Sequence, residues 1–280
     1  MPTVRTIHAK GLLYHFLQKD LREQDIWLFQ MLAARLISTL GIWMHPDVYE
    51  RLPVLVPYAV RDPLVRGNKA KGMPDNWGAP NDAGYFRDDN SLVKGLPRTL
   101  AIDGPTRGPY RGARIGTGFV AAHVWRTLSG NAGLSARNAT TYSFVPNLVW
   151  LPGEIAALTD REGSFAQLYV QALAQKVYRH RTVAPPLIPV VEHAWSLLPP
   201  PVGVPEQGLP DVEELNFFVP TDSWRNERIQ KIRLVADALE GVRAGESLPG
   251  KVISGRYGGG LSDISPRAAA ALRDKLRLFL

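Results

Sequence analysis

Two polar residues with chemical potential stand 24 positions apart in this chain: His123 in "FVAAHVW" and Asn147 in "VPNLVWLPGEIAALTD". An imidazole can take a proton from water near neutral pH. A carboxamide oxygen can ligate a cation or hold a turn. The Asn147 stretch reads as a short apolar strand that breaks at Pro152-Gly153 and turns into a helix. On that helix Asp160 follows Ala156 by four residues, one turn further along the same face. Hydrolysis of a phosphodiester needs a base for water and a cation to carry charge on the phosphate oxygens. Two strands and a helix that converge His123, Asn147 and Asp160 are a compact way to supply both.

Each residue also has a plainer use. A histidine beside Val124 and Trp125 can be a hydrogen-bonded core residue, Asn147 can satisfy a turn after Pro146, and Asp160 can pair with Arg161. The distribution of charge admits either a solvated basic face or a nucleic-acid partner. The net charge is +7, and from Gly104 to Gly153 there is no Asp or Glu but five arginines: Arg107, Arg111, Arg114, Arg126 and Arg137. A second basic run, "RDPLVRGNKAKG", carries Arg61, Arg66, Lys69 and Lys71. Such stretches attract polyanions, and counterion release from nucleic acid supplies affinity. Lys176 and Arg179, in "KVYRHR", add a third basic cluster that also suits a helix C-terminus.

The order His–Val–aromatic, polar loop, Asn-Leu-x-x-Leu-Pro and helix resembles the HNH, or ββα-metal, endonucleases over residues 115–165. The resemblance implies a restriction or defence enzyme that cuts DNA with Mg²⁺, or Mn²⁺, as cofactor. It maps His123 to the general base and Asn147 to the structural or metal-binding asparagine. Two positions where the family usually places ligands are Ala122 and Ala156 in this chain. Asp160 is then the first choice for the missing carboxylate, with Asp88, Asp89 and Asp103 able to approach from preceding strands. Arg107, Arg111, Arg114, Arg126, Arg137, Lys176 and Arg179 are expected to grip phosphates. A two-fold DNA site implies a homodimer. The alternative is a non-catalytic nucleic-acid-binding protein on a degenerate nuclease scaffold.

The elements expected to position these residues make an α+β chain: a helical N-terminal part, central antiparallel strands with the ββα-like unit, and a helical C-terminal part. Residues 9–41 carry helical apolar spacing that stops at Gly41. Residues 51–90 read as a long irregular segment, followed by strands in "SLVKGL", "RTLAIDG" and "ARIGTGFVAAHVW". Ser164 caps a helix in "SFAQLYVQALAQKVYRHR". "APPLIPVVEHAWSLLPPPVGVPEQGLP" reads as a proline-rich connection, so a main domain is expected over 1–184 and a helical part over 185–280. Further helices are expected in "SWRNERIQKIRLVADALEGVRAG" and after Ser265-Pro266.

Other chemistries are excluded. With no cysteine there is no disulfide, thiolate metal site or thiol nucleophile, which fits a cytoplasmic protein. No apolar run is long enough to span a membrane. "RYGGGLSDISP" lacks the Gly-Lys-Ser/Thr ending of a phosphate loop, and no Gly-x-Ser-x-Gly elbow is present. His8, His15, His45, His180 and His193 show no metal-ligand spacing. Lys94 is preceded at the required offset by Leu92, so the acidic-Lys motif of the other large restriction class fails.

Overall fold

The computed structural model describes residues 22–62, 65, 78–105, 110–204, 208–246, 252 and 260–280. It is a mixed α+β arrangement, with strands at the centre and helices toward both ends. In chain order, helix α1 (Glu23–Leu40) leads into strand β1 (Ile42–Met44) and helix α2 (Pro46–Arg51). Strands β2 (Ala59–Arg61) and β3 (Phe86–Asp88), helix α3 (Ser91–Gly95) and strand β4 (Ala101–Asp103) follow. Strands β5 (Phe119–His123) and β6 (Leu148–Pro152) precede helices α4 (Gly153–Thr159), α5 (Phe165–Tyr178) and α6 (Ile188–Ser196). Strand β7 (Asn216–Val219) and helices α7 (Asp222–Ala244) and α8 (Pro266–Arg277) complete it.

The main sheet has the order β4-β7-β1-β6-β5. Its β1–β7 pair is parallel and the other three are antiparallel, so the sheet is mixed where antiparallel strands were expected. Strand β7 lies between β4 and β1, so the chain beyond residue 185 supplies an inner strand and the sheet runs across the expected 184/185 boundary. Asn216 anchors it: its buried Nδ2 donates to the carbonyls of Thr39 (2.9 Å) and Gly41 (3.1 Å) at the end of α1. Trp43, Trp125, Trp150, Tyr49, Tyr142, Tyr178, Phe144 and Phe218 are fully buried around this sheet. Removing any of them would cost about 3–5 kcal/mol through lost contacts and a cavity.

Several expected elements differ. "SLVKGL" forms the short helix α3, because acids just before it cap its first turn. Asp89 Oδ1 accepts the Ser91 N–H (3.1 Å) and Asp88 Oδ2 accepts that of Leu92 (3.0 Å). The proline-rich connection contains α6, whose prolines fall at 185, 186 and 189, in or just before the first turn, where an absent N–H costs nothing. The 51–90 segment contains β2 and β3, which pair in parallel. At its tip Gly84 adopts φ +85°, and a Cβ there would meet Ile264 Cδ1 at 3.0 Å, so glycine lets α8 and the turn preceding it close onto this loop. The helix expected over 9–41 is described from Glu23 only; residues 9–21 lie outside the described set. Ser164 caps α5 and Ser265 caps α8, as expected, and Gly245 ends α7 in the left-handed conformation.

Candidate functional site

Strands β5 and β6 form an antiparallel pair from Phe119↔Pro152 to His123↔Leu148. This register places His123 at the end of one strand and Asn147 one step before the other. The Val124 N–H donates to the Asn147 carbonyl (3.0 Å), and at the far end the Gly153 N–H donates to Gly118 (3.0 Å) as α4 begins. The chain thus runs strand, loop, strand, helix, with α4 packed back onto β5. That order is the one read from the sequence.

The intervening loop is organised by Asn147, which is fully buried. Its Oδ1 accepts the Trp125 N–H (2.8 Å), and its Nδ2 donates to the Thr141 carbonyl (2.8 Å) and to Ser135 Oγ (3.3 Å). Ser135 Oγ in turn bonds the Trp125 carbonyl, and Thr141 Oγ1 donates to the Ser135 carbonyl (2.7 Å). The oxygen that would face a metal is therefore already occupied inside the loop, and Asn147 is not among the residues lining the cleft described next. Of the two roles the resemblance offers this residue, the geometry supports the structural one.

His123 stacks on Tyr142, with ring centroids 5.7 Å apart and planes 23° apart. Its Nε2 lies 3.0 Å from the Tyr142 carbonyl, which can only accept, so Nε2 carries the proton and Nδ1 holds the lone pair. Tyr142 is itself fixed by its hydroxyl, which donates to the buried Asp88 Oδ2 (2.5 Å). Burial and the positive charge of Arg61 push the His123 pKa down to about 4, against the opposing pull of the Tyr142 carbonyl. At neutral pH the ring is uncharged and able to accept a proton.

In front of His123 opens a cleft of about 720 Å³. Arg61, Lys94, Arg98 and Arg126 line it with positive charge, and Asp89 and Asp160 contribute two carboxylates. Ala122 and Ala156, where the resemblance expects ligands, line it too. Arg61 Nε is buried with no hydrogen-bond partner among the described residues, as is Asn90 Oδ1. Asn90 adopts φ 87° and donates Nδ2 to the Ala121 carbonyl (2.8 Å), so it fastens the outer edge of β5, which no other strand covers among the described residues.

The sequence-predicted set divides accordingly. His123, Asp160 and Arg126 come together at the cleft. Arg137 is exposed on the loop beside Ala136, a lining residue, while Arg111 and Arg114 are exposed between β4 and β5 and do not line it. Arg107, Arg66, Lys69 and Lys71 lie outside the described residues. Lys176 and Arg179 serve elsewhere. Lys176 bonds the Leu209 carbonyl and Asp211 (both 3.3 Å), and the Arg179 guanidinium sits 5.1 Å from the centre of a Trp195 ring. Sequence reasoning had not assigned Lys94 and Arg98 to the site. Neither stands in a dense basic run, and only the turn of α3 brings them to β5.

Among the described residues no group of three or more His, Asp or Glu side chains converges to hold a metal ion, and Asn147 Oδ1 already accepts the Trp125 N–H. The Mg²⁺ or Mn²⁺ requirement therefore rests on the resemblance alone. No protein-family model matches the chain, and neither the curated proteins nor the solved structures contain a match. Among the described residues no helix is long and apolar enough to cross a membrane.

Proposed function

We propose that this chain is a nucleic-acid endonuclease, with DNA as substrate and a restriction or defence role as the resemblance implies. The observation that carries the reading is the neutral His123, held from behind by Tyr142, within a cleft walled by four cationic side chains. A phosphodiester drawn in by Arg61, Lys94, Arg98 and Arg126 presents its phosphorus to water. His123 Nδ1 removes the proton as the water oxygen bonds to phosphorus. The guanidinium and ammonium groups stabilise the charge that builds on the non-bridging oxygens. The P–O ester bond breaks, and the departing oxygen takes a proton from solvent.

A second reading, binding without cleavage, is favoured by a specific observation: alanine at 122 and 156 together with an Asn147 whose carboxamide is buried and bonded inside the loop. Plasmid cleavage separates the two. The endonuclease reading expects nicking or linearisation that His123→Ala lowers by about 10²–10⁴-fold, the usual contribution of a general base. Parallel reactions with Mg²⁺, with Mn²⁺ and with chelator decide whether a divalent ion takes part. Salt-sensitive binding with no cleavage under any of these conditions supports the second reading and overturns the first.

A further inference from the structure

The N-terminal half of α1 carries a surface that the cleft does not explain. Ile26, Trp27, Leu28, Phe29, Met31 and Leu32 are 41–59% exposed. The C-terminal half is anchored: Ala33, Ala34 and Ile37 are buried, Ser38 Oγ and Tyr169 Oη share a hydrogen bond of 2.7 Å, and α1 packs on β6, α4 and α5. At about 100° per residue the six exposed side chains point around most of the helix circumference. The helix therefore leaves the body and extends as an apolar arm. Other large exposed apolar side chains among the described residues are scattered, at most two to an element, as on any soluble surface.

We infer that this arm is a self-association surface, covered in solution by the same arm of a second copy of the chain. From Ile26 to Ala34 the sequence has no charged residue, so the face carries no charge pattern that would select a different partner. An uncharged apolar helix is complementary to itself across a two-fold axis. Six large apolar side chains exposed within seven residues form a contiguous patch, unlike the single exposed apolar residues of an ordinary monomer surface. A membrane surface is the poorer occupant. The arm begins with Arg22, Glu23 and Asp25, a net acidic flank, where helices that lie on anionic lipid carry Lys and Arg. The inference stands on α1 alone and does not depend on the chemistry of the cleft.

Sedimentation equilibrium of the full chain, from about 1 to about 50 μM, tests it in the range where modest interfaces form. The expected species is a dimer of twice the 31.0 kDa chain mass. Trp27→Glu, at a 59% exposed position, is expected to leave thermal unfolding of dilute protein unchanged and to raise the dissociation constant by ~30-fold or more, the loss of one hot-spot anchor. Val202→Glu, at a 73% exposed position off the arm, should leave the dimer unaffected. Hydrogen exchange of the unmodified chain gives a readout that needs no variant: protection over residues 26–32 should rise with concentration. A chain that stays monomeric across the range overturns the inference and assigns the arm to residues 1–21 or to another protein. So does a dimer that Trp27→Glu leaves intact.

Discussion

The two sides of His123 are built to opposite rules. On one side, the polar network inside the loop between β5 and β6 is closed: Ser135, Thr141, Ser143 and Asn147 are fully buried, and each of those side chains has a hydrogen-bond partner. In front, the cleft is open. Four cations line it, and two buried polar atoms, Arg61 Nε and Asn90 Oδ1, have no partner among the described residues. A satisfied buried network fixes one geometry, whereas an unpaired donor such as Arg61 Nε holds a cost that a bound anion would relieve. Asn147 and His123 share one sequence pattern, yet the first belongs to the closed side and the second faces the open one.

Breaking the closed side should have the largest effect. Asn147→Ala strands the Trp125 N–H and the Thr141 carbonyl in the interior, a destabilisation of about 4 kcal/mol. A chain of this size should then melt roughly 10 °C lower. Asn147→Asp keeps the acceptor and loses both donors, so it should also be destabilised. If instead Asn147→Ala melts like the unmodified chain and loses only metal affinity, the asparagine is a ligand and the comparison fails.

Acid probes the boundary between the two sides. The folded pKa of His123, about 4, lies below the ordinary value of 6.5, so the unfolded chain binds the extra proton first. The contribution of the neutral ring to stability is fully present above pH 6.5 and is lost as pH falls toward 4. Its size is on the order of 2 kcal/mol, discounted from the full shift because the ring is only partly shielded from water. Chemical denaturation at pH 7 and pH 4.5 should show this loss, and His123→Gln should reduce it. An unchanged difference between the two pH values in that variant would assign the acid sensitivity to other groups.

What the sequence made legible follows from how local each determinant is. The strand-loop-strand-helix order around His123 and Asn147 is carried by contiguous apolar runs and the Pro-Gly break, so it could be read directly. The caps at Ser164 and Ser265 are local too, and both are present. The job of Asn147 was not legible, because its partners at Trp125, Ser135 and Thr141 depend on how a loop of short turns folds back. Helix α3 was hidden for a related reason: "SLVKGL" has strand-like composition, and the caps from Asp88 and Asp89 override it. The insertion of β7 between β4 and β1 depends on long-range contacts such as Asn216 to Thr39, which no periodicity encodes. The open wall escaped in part because Arg61, Lys94 and Arg98 belong to different segments and meet only in the fold.

The open side can be sharpened one cation at a time. Arg61 is the inner member, since its charge already acts on His123. Arg61→Gln should raise the His123 pKa above about 4, read by NMR titration of its ring protons, but only part of the way to 6.5, because burial is the larger cause. An unmoved His123 would place the Arg61 charge outside its reach.

Arg126 is the outer member, exposed at the mouth of the cleft. Its contribution should be electrostatic and nearly independent of sequence in the nucleic acid. Arg126→Gln is expected to flatten the log–log dependence of binding on salt by about 0.9, one phosphate contact, with affinity falling similarly for unrelated duplexes. Stability should change by less than ~0.5 kcal/mol, as for most exposed positions. Arg179→Gln supplies the internal contrast: its guanidinium lies against Trp195, off the cleft, so the salt dependence should remain that of the unmodified chain. If Arg179→Gln flattens the slope and Arg126→Gln does not, the nucleic-acid path runs over the C-terminus of α5, and the open cleft is not where the polymer lies.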